Sequence, residues 1–408
     1  MCDLQDSSFD IALNKDKKAD ATASSPAASA SVGNDSGPSS VASVVLPLLC
    51  GGVFGAMFQS SRVHELVFIR AQMKMERFLM LKMFLSAAST SILVLALMPL
   101  VSSRARRRVA EKTKAVSSGM AQSRGLVSVA LGASMLGAGM ALSGSCPGTV
   151  FAQLAAGSRL ARSVLAGGLL GAFVYPLLDH LPGWDSLLRA GRAPKIQNAT
   201  VASALGVPSY KVALPLAAGL LSLVAVLEWL SPWQQELKSG VLFPAGSAVP
   251  GAIPPYVAGM AIGLLQAPLL LGVGQMLGSS SSYVTVVANA VGALVGGKKL
   301  ERLAPSWSTM RRGAFPLFQV MLMAGVFLGA YTSSSLSGAR FLSEAGGSAA
   351  ATTGEALLGG FLLVFGARLA GGCTSGHGIS GFGLLALNSA IAVPAMFATG
   401  IAVANLRG

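Results

Sequence analysis

Charge is scarce in this chain. Of its 408 residues only 11% are charged, with 30 Lys and Arg against 16 Asp and Glu. A soluble domain carries roughly 25% charged residues, so a water-facing surface over most of the length is excluded. Cysteine is also rare. Cys2, Cys50, Cys146 and Cys373 are scattered and mostly inside apolar runs, which argues against a disulfide framework and for free thiols. No Gly-x-x-x-x-Gly-Lys-Ser/Thr run occurs, which argues against ATP-driven pumping by this chain.

What is abundant is apolar sequence. Hydrophobic residues make up 52% of the chain and the mean hydropathy is +0.63. About 20 apolar residues cross a hydrocarbon core, and charge-free runs of that order occur at 41–61, 83–103, 125–158, 239–297, 313–339 and 369–406. Shorter ones lie at 163–178, 212–227 and 356–367. The expectation is an all-α polytopic membrane protein with roughly eight to eleven membrane-entering helices, some of half length. Pro47, Pro176 and Pro215 are read as kinks within ordinary spans.

The excess of basic residues, formally +14, is gathered in short segments between apolar runs. Arg104, Arg106, Arg107, Arg108, Lys112 and Lys114 form one; Arg159 and Arg162, then Arg189, Arg192 and Lys195, then Lys298, Lys299 and Arg302 form others. That is the positive-inside pattern of loops flanking spans, and nucleic acid is not an expected partner. The 101–124 loop holds seven basic residues against one acidic, whereas 59–77 holds four against two. The bias places the first loop and the amino terminus in the cytosol, with 59–77 across a membrane expected to be the plasma membrane. Mixed signs in 59–77, from Arg62, His64 and Glu65 to Arg77, suggest an interfacial amphipathic helix.

Residues 1–40 are rich in Ser, Ala and Asp and read as a disordered tail. Asp3, Asp6 and Asp10 argue against a transit peptide, and no apolar h-region follows a basic start. Cys2 carries no supporting lipidation motif.

Two stretches contradict the runs that contain them. Gly371 to Gly381 reads Gly-Gly-Cys-Thr-Ser-Gly-His-Gly-Ile-Ser-Gly, and Ser143 to Thr149 reads Ser-Gly-Ser-Cys-Pro-Gly-Thr. Glycine and proline in such density make a poor helix, and free backbone groups are tolerated at membrane depth only inside protein or along a wet cavity. Both read as broken or re-entrant helices.

The two stretches also match each other. Laying Cys373 over Cys146 places Gly366 on Gly139, Leu369 on Leu142 and Gly371 on Gly144, and the Gly259 and Gly263 pair repeats the spacing of Gly51 and Gly55. An internal duplication follows, 41–200 and 201–408, of inverted topology, with the broken helices meeting near the bilayer midplane. The expectation is that Cys146 and Cys373 face each other across a constriction.

Such loops suit an anion. Exposed N–H groups and a helix N-terminus attract negative charge, and hydroxyls with weakly donating, polarizable thiols hold it without a fixed cation that would trap it. The expected binding residues are Gly144, Ser145, Cys146, Gly148 and Thr149 from the first loop. Gly371, Gly372, Cys373, Thr374, Ser375, Gly376 and His377 come from the second. His377 is read as a hydrogen-bonding wall residue or as a base that draws Cys373 toward thiolate. A zinc site lacks further local ligands, so no metal or cofactor is expected. Arg368, one turn earlier, snorkels or draws an anion inward. Cys50 reads as a small buried hydrophobe, and Asp179, Glu228 and Glu355 lie near span ends as weak proton-relay candidates.

The two cysteine motifs, in a polytopic chain with a repeated half, resemble those of the YeeE/YedE sulphur-transport family over roughly residues 44–405. The resemblance implies a carrier of thiosulfate or a related sulphur anion, with loops from both faces converging and thiols at Cys146 and Cys373 contacting the substrate. Family members often have a further cysteine just after the first span; here Gln59 to Glu65 has none and Cys50 lies earlier. A sulphur anion other than thiosulfate, or a persulfide-like species, therefore stays open. The reading is a non-enzymatic transporter in a lipid bilayer, with a sulphurtransferase as a possible partner; the alternative is a membrane sulphurtransferase or persulfide carrier acting through Cys373. A purely structural membrane protein is the third reading.

Overall fold

The computed structural model describes residues 40–407 apart from 123–124, 179–180, 182, 190–199, 239–250, 305, 308–309, 312–313 and 338–351. The expected tail, except residue 40, lies outside the described residues, as do Cys2, Asp179, Arg192 and Lys195.

The described residues form an all-α polytopic membrane protein. In chain order the helices are α1 (Ser40–Ser60), α2 (Leu66–Met73), α3 (Leu79–Val101), α4 (Ser103–Gln122), α5 (Leu126–Ser143), α6 (Thr149–Ala155) and α7 (Arg159–Leu177). After α8 (Trp184–Arg189) and α9 (Val201–Ala204) come α10 (Ser209–Leu230), α11 (Trp233–Lys238), α12 (Pro255–Leu264) and α13 (Gln266–Val273). The last are α14 (Ser280–Val295), α15 (Gly297–Leu303), α16 (Ala314–Leu336), α17 (Thr353–Ala370) and α18 (Leu387–Leu406), with a wide π-helical turn, Gly376–Gly381, before α18. Among the described residues nine helical segments are long and apolar enough to span, with α12 and α13 acting as one, and α14 is a shorter apolar helix.

The apolar runs fold as helices because their backbone groups have no other partner in hydrocarbon. Glycine decides which of them touch. A side chain on Gly51 or Gly55 of α1 would strike the carbonyls of Leu322 and Val326 on α16. Gly259 and Gly263 do the same for α12 against α3, where Met83 and Ala87 supply the carbonyls. Between α5 and α17, Gly132 opposes Gly366 while Gly139 opposes Gly359. As one number rises the other falls, so these helices run antiparallel. A Cβ on Gly366 would sit 2.6 Å from Gly132 O and 2.7 Å from Leu136 N, which only small residues allow.

Three helices end at glycines, two of them, Gly144 and Gly274, buried. α5, α13 and α17 each stop at a glycine in the left-handed region, Gly144 (φ 64), Gly274 (φ 67) and Gly371 (φ 85), the common helix C-terminal device. The break expected at 143–149 and the one at 371–381 are therefore both present. The second is less irregular than its composition suggests: Thr374 already re-enters a helix that widens into the π-helical turn.

Two expectations need correction. Residues 59–77 do not form an interfacial amphipathic helix. Residues 61–64 make a turn, and Gln59, Ser61, Arg62, His64 and Glu65 are all buried. The charges permit this because they compensate each other: Arg62 Nη2 donates to Glu65 Oε1 at 2.5 Å. The basic 101–124 segment, in turn, is helical as α4 from Ser103 to Gln122. Its Arg104 donates to Leu271 O at 3.3 Å and its Lys112 to Gln275 Oε1 at 2.9 Å, at the end of α13. Burial, with Arg108 beside it, holds the Lys112 ammonium below its usual pKa.

Outside the core, α10 and α11 are pinned to α3 by one lysine. Fully buried Lys82 Nζ donates to Glu236 Oε1 at 2.8 Å, to Glu228 Oε2 at 2.9 Å and to Ser231 O. Glu236 also accepts the N–H groups of Phe78 and Leu79 at 2.7 and 3.1 Å, where α3 begins. Glu228 is thus an ion-pair partner, and Glu355 caps α17 and pairs with Arg407.

Lys82→Met leaves Glu236 buried without its cation and is expected to destabilise the fold by about 3–5 kcal/mol, read from thermal unfolding in detergent. Gly366→Leu forces α5 and α17 apart and is expected to lose about 1–3 kcal/mol or more. Gly219→Leu, at a position where a Cβ meets nothing within 4 Å, is the control and leaves the unfolding midpoint nearly unchanged.

Candidate functional site

Cys373 is the last residue before the chain re-enters a helix at Thr374. Its sulfur is held by an element far away in sequence: Ser279 N–H donates to Cys373 Sγ at 3.3 Å, and Ser279 Oγ lies 3.2 Å from it. Ser375 Oγ adds a third contact at 3.4 Å. The thiol is 2% exposed.

Cys146 has a more local setting. Its N–H donates to Thr149 Oγ1 at 2.7 Å, and Thr149 N–H, at the start of α6, donates to Cys146 Sγ at 3.4 Å. The loop that carries it is fixed by Gln153 on α6. Ser145 Oγ donates to Gln153 Oε1 at 2.6 Å, while Gln153 Nε2 donates to His64 O at 2.8 Å and Gly144 O at 3.0 Å. One glutamine therefore joins the turn after α1 to the first cysteine loop.

A second glutamine plays the same part on the other side. Gln266 Nε2 donates to Ser380 Oγ at 2.7 Å, and Ser380 Oγ donates to Leu277 O at 2.7 Å. The loop from Gly274 to Ser279 is thereby tied to the π-helical turn that follows Cys373. Tyr283 closes the arrangement by donating from its hydroxyl to Pro147 O at 2.9 Å. The first cysteine loop and the Ser279 segment meet directly, since a Cβ on Gly148 would lie 3.5 Å from Ser279 Oγ.

Between the loops is a cavity of about 30 Å³ lined by Cys146, Gly148, Thr149, Thr374 and Ser375, with Phe54, Phe58, Met80, Met83, Phe84, Ala87 and Ile379. A water needs roughly 10–15 Å³ of such volume, so the space admits about two water-sized groups. No formally charged side chain is among these lining residues. Phe54 and Phe58 pack as a tilted pair with centroids 4.6 Å apart, and Thr374 Oγ1 lies 3.7 and 3.6 Å from Met140 Sδ and Met396 Sδ. The wall is thus hydroxyl-bearing at the loops and otherwise apolar, aromatic and sulphur-rich. Such a wall suits a polarizable ligand better than a strongly hydrated one, whose lost water it could not replace.

The residues singled out from sequence divide into three groups. Cys146, Gly148, Thr149, Thr374 and Ser375 line the cavity, and Cys373 stands beside Ser375. Gly144 and Gly371 end helices, Ser145 holds Gln153, and a Cβ on Gly376 would come 3.7 Å from Cys373 Sγ. His377 Nδ1 bonds Ser389 Oγ on α18 at 3.1 Å, and its ring packs where a Gly372 side chain would stand. Cys50 is buried on α1. Arg368 donates to Ser281 Oγ on α14 at 3.1 Å, and Arg70 on α2 donates to Leu142 O in the last turn of α5. Among the described residues no group of three or more His, Cys, Asp or Glu is placed to hold a metal ion.

Ser279, Tyr283, Gln153, Gln266 and the methionines were not legible as site residues.

Comparison with curated proteins gives no match. The sequence matches the family model for sulphur transport over residues 60–403, a span containing both cysteine loops and every helix after α1 except the end of α18. The chain is a member of the sulphur transport family.

Proposed function

We propose that this membrane protein carries thiosulfate or a related small sulphur anion through the cavity between the two cysteine loops, with Cys146 and Cys373 contacting the substrate in turn. The observation that carries the reading is the lining: hydroxyls and thiol sulphur at the loops, methionine and phenylalanine elsewhere, and no fixed charge. Hydroxyls and backbone N–H groups can hold oxyanion oxygens, and polarizable sulfur suits a terminal sulphur atom. A site without a fixed cation releases its ligand readily, which suits conduction. The small volume corresponds to a closed constriction in which Phe58, Met80 and Met83 must move for a ligand to pass.

The inverted duplication of 41–200 and 201–408 belongs to the same proposal. It is supported by the antiparallel contact of α5 with α17, where Gly132 meets Gly366 and Gly139 meets Gly359, one partner advancing along its helix as the other retreats. We place the amino terminus in the cytosol and the protein in the plasma membrane, on the basic bias of α4. A soluble sulphurtransferase on that side is a fitting acceptor, and the chain itself is read as a carrier, not a catalyst.

Uptake of sulphur-labelled thiosulfate into proteoliposomes containing the full chain tests this. Cys373→Ser and Cys146→Ser are each expected to lower initial uptake at least tenfold, and Cys50→Ser to leave it within twofold. Undiminished uptake in both loop variants would sink the mechanism. A stable mass increase of one sulphur atom on Cys373 after turnover, with no net uptake, would favour the persulfide-carrier alternative.

A further inference from the structure

A second cavity, of about 420 Å³, opens between α1, α16 and the segment at Gly251 and Ala252. Its polar wall comes from Gln59, Ser60 and Arg62 of the first segment and from Thr332, Ser333 and Ser337 of α16. Gln59 is 1% exposed, yet both polar atoms of its carboxamide have no hydrogen-bond partner. A buried amide left without partners is unfavourable, so its place on a cavity wall calls for a ligand or water. Ser60 Oγ and Ser333 Oγ are hydrogen-bonded to each other at 3.1 Å, which sets two hydroxyls side by side on the wall. Arg62 brings a cation whose charge Glu65 offsets at 2.5 Å, and its backbone is held in the left-handed region (φ 61), a conformation uncommon for a non-glycine residue.

The two cavities are lined by neighbouring residues of α1. Phe58 lines the narrow one and Gln59, the next residue, lines the wide one. Their chemistry differs. The wide cavity offers N–H and O–H donors and a compensated cation, which recognise oxyanion oxygens whatever the central atom carries. The narrow one offers thiols, thioethers and rings.

We propose that the α1–α16 cavity is a loading station for small sulphur oxyanions, bound by Gln59, Ser60 and Ser333 above the Arg62–Glu65 pair, and that it accepts sulfate as readily as thiosulfate. The inference rests on the transport reading above and adds a division of labour to it: the station concentrates oxyanions, and the cysteine constriction chooses among them. Because Arg62 is already paired, the station holds its ligand loosely and passes it on.

Equilibrium binding of radiolabelled sulfate to the purified full chain in detergent tests the station apart from transport. Wild type is expected to bind sulfate, and Cys373→Ser to retain it. Ser333→Asp, which sets a negative charge on a partly exposed position, and Gln59→Leu are each expected to weaken it at least tenfold. In proteoliposomes sulfate is expected to compete with thiosulfate, and Ser333→Asp to raise the KM for thiosulfate at least tenfold with the maximal rate within about twofold. Ser333→Asp keeps the test decisive if Gln59→Leu does not fold. Absence of sulfate binding in wild type, or binding that survives both substitutions, overturns the station. Failure of the transport reading has a different sign, thiosulfate uptake that is absent or indifferent to Cys146 and Cys373.

Discussion

Two helices, α5 and α13, end at buried glycines inside this protein, and the carbonyls they leave behind have no water to turn to. A lipid-embedded chain must satisfy such groups internally, and the interior is arranged around that requirement. At Gly144 the N–H closes on Met140 O at 2.9 Å, Arg70 reaches Leu142 O and Gln153 takes Gly144 O. At Gly274 the N–H meets Leu270 O at 3.0 Å and Arg104 reaches Leu271 O at 3.3 Å. At Gly371 the N–H returns to Arg368 O at 3.3 Å. The side chains that hold the two cysteine loops are largely those that complete these broken ends, so the site and its support are one network.

That network explains what composition alone makes visible and what it hides. Spans and breaks are legible because they depend on local chemistry: apolar length, and glycine or proline where a helix must stop. The two cysteine loops stand out for the same reason, polar residues in runs that should hold none. Ser279 is another matter. It lies 94 positions from the thiol it bonds, and Tyr283 lies 136 positions from Pro147; no periodicity connects residues so far apart. The turn after α1 is misread from sequence for a related reason. Arg62, His64 and Glu65 look like a solvated face, whereas oppositely charged neighbours can be buried together once they neutralise each other.

The glycines carry a second layer of organisation. Where most membrane helices touch through side chains, α1 and α16, α3 and α12, and α5 and α17 touch backbone to backbone. Close approach of this kind strengthens packing in a medium that gives no hydrophobic push between helices. It also fixes axial position, because a shift of one residue would replace glycine with a larger side chain at the crossing. The loops at the ends of α5 and α17 are thus held at a defined height relative to each other, which keeps the contacts of 3.2–3.4 Å around Cys373 in place.

The crossing of α5 and α17 has one further property. Gly132 against Gly366 and Gly139 against Gly359 read the same from either end, so this contact by itself has no front and no back. Whatever sense of flow the molecule possesses must come from parts that occur once. The basic helix α4 lies along the end of α13 through Arg104 and Lys112, the Lys82 cluster fastens α10 to one end of α3, and the polar cavity opens beside Gln59. The α5–α17 crossing thus distinguishes no direction, and the features that tell one face of the molecule from the other are these single-copy ones.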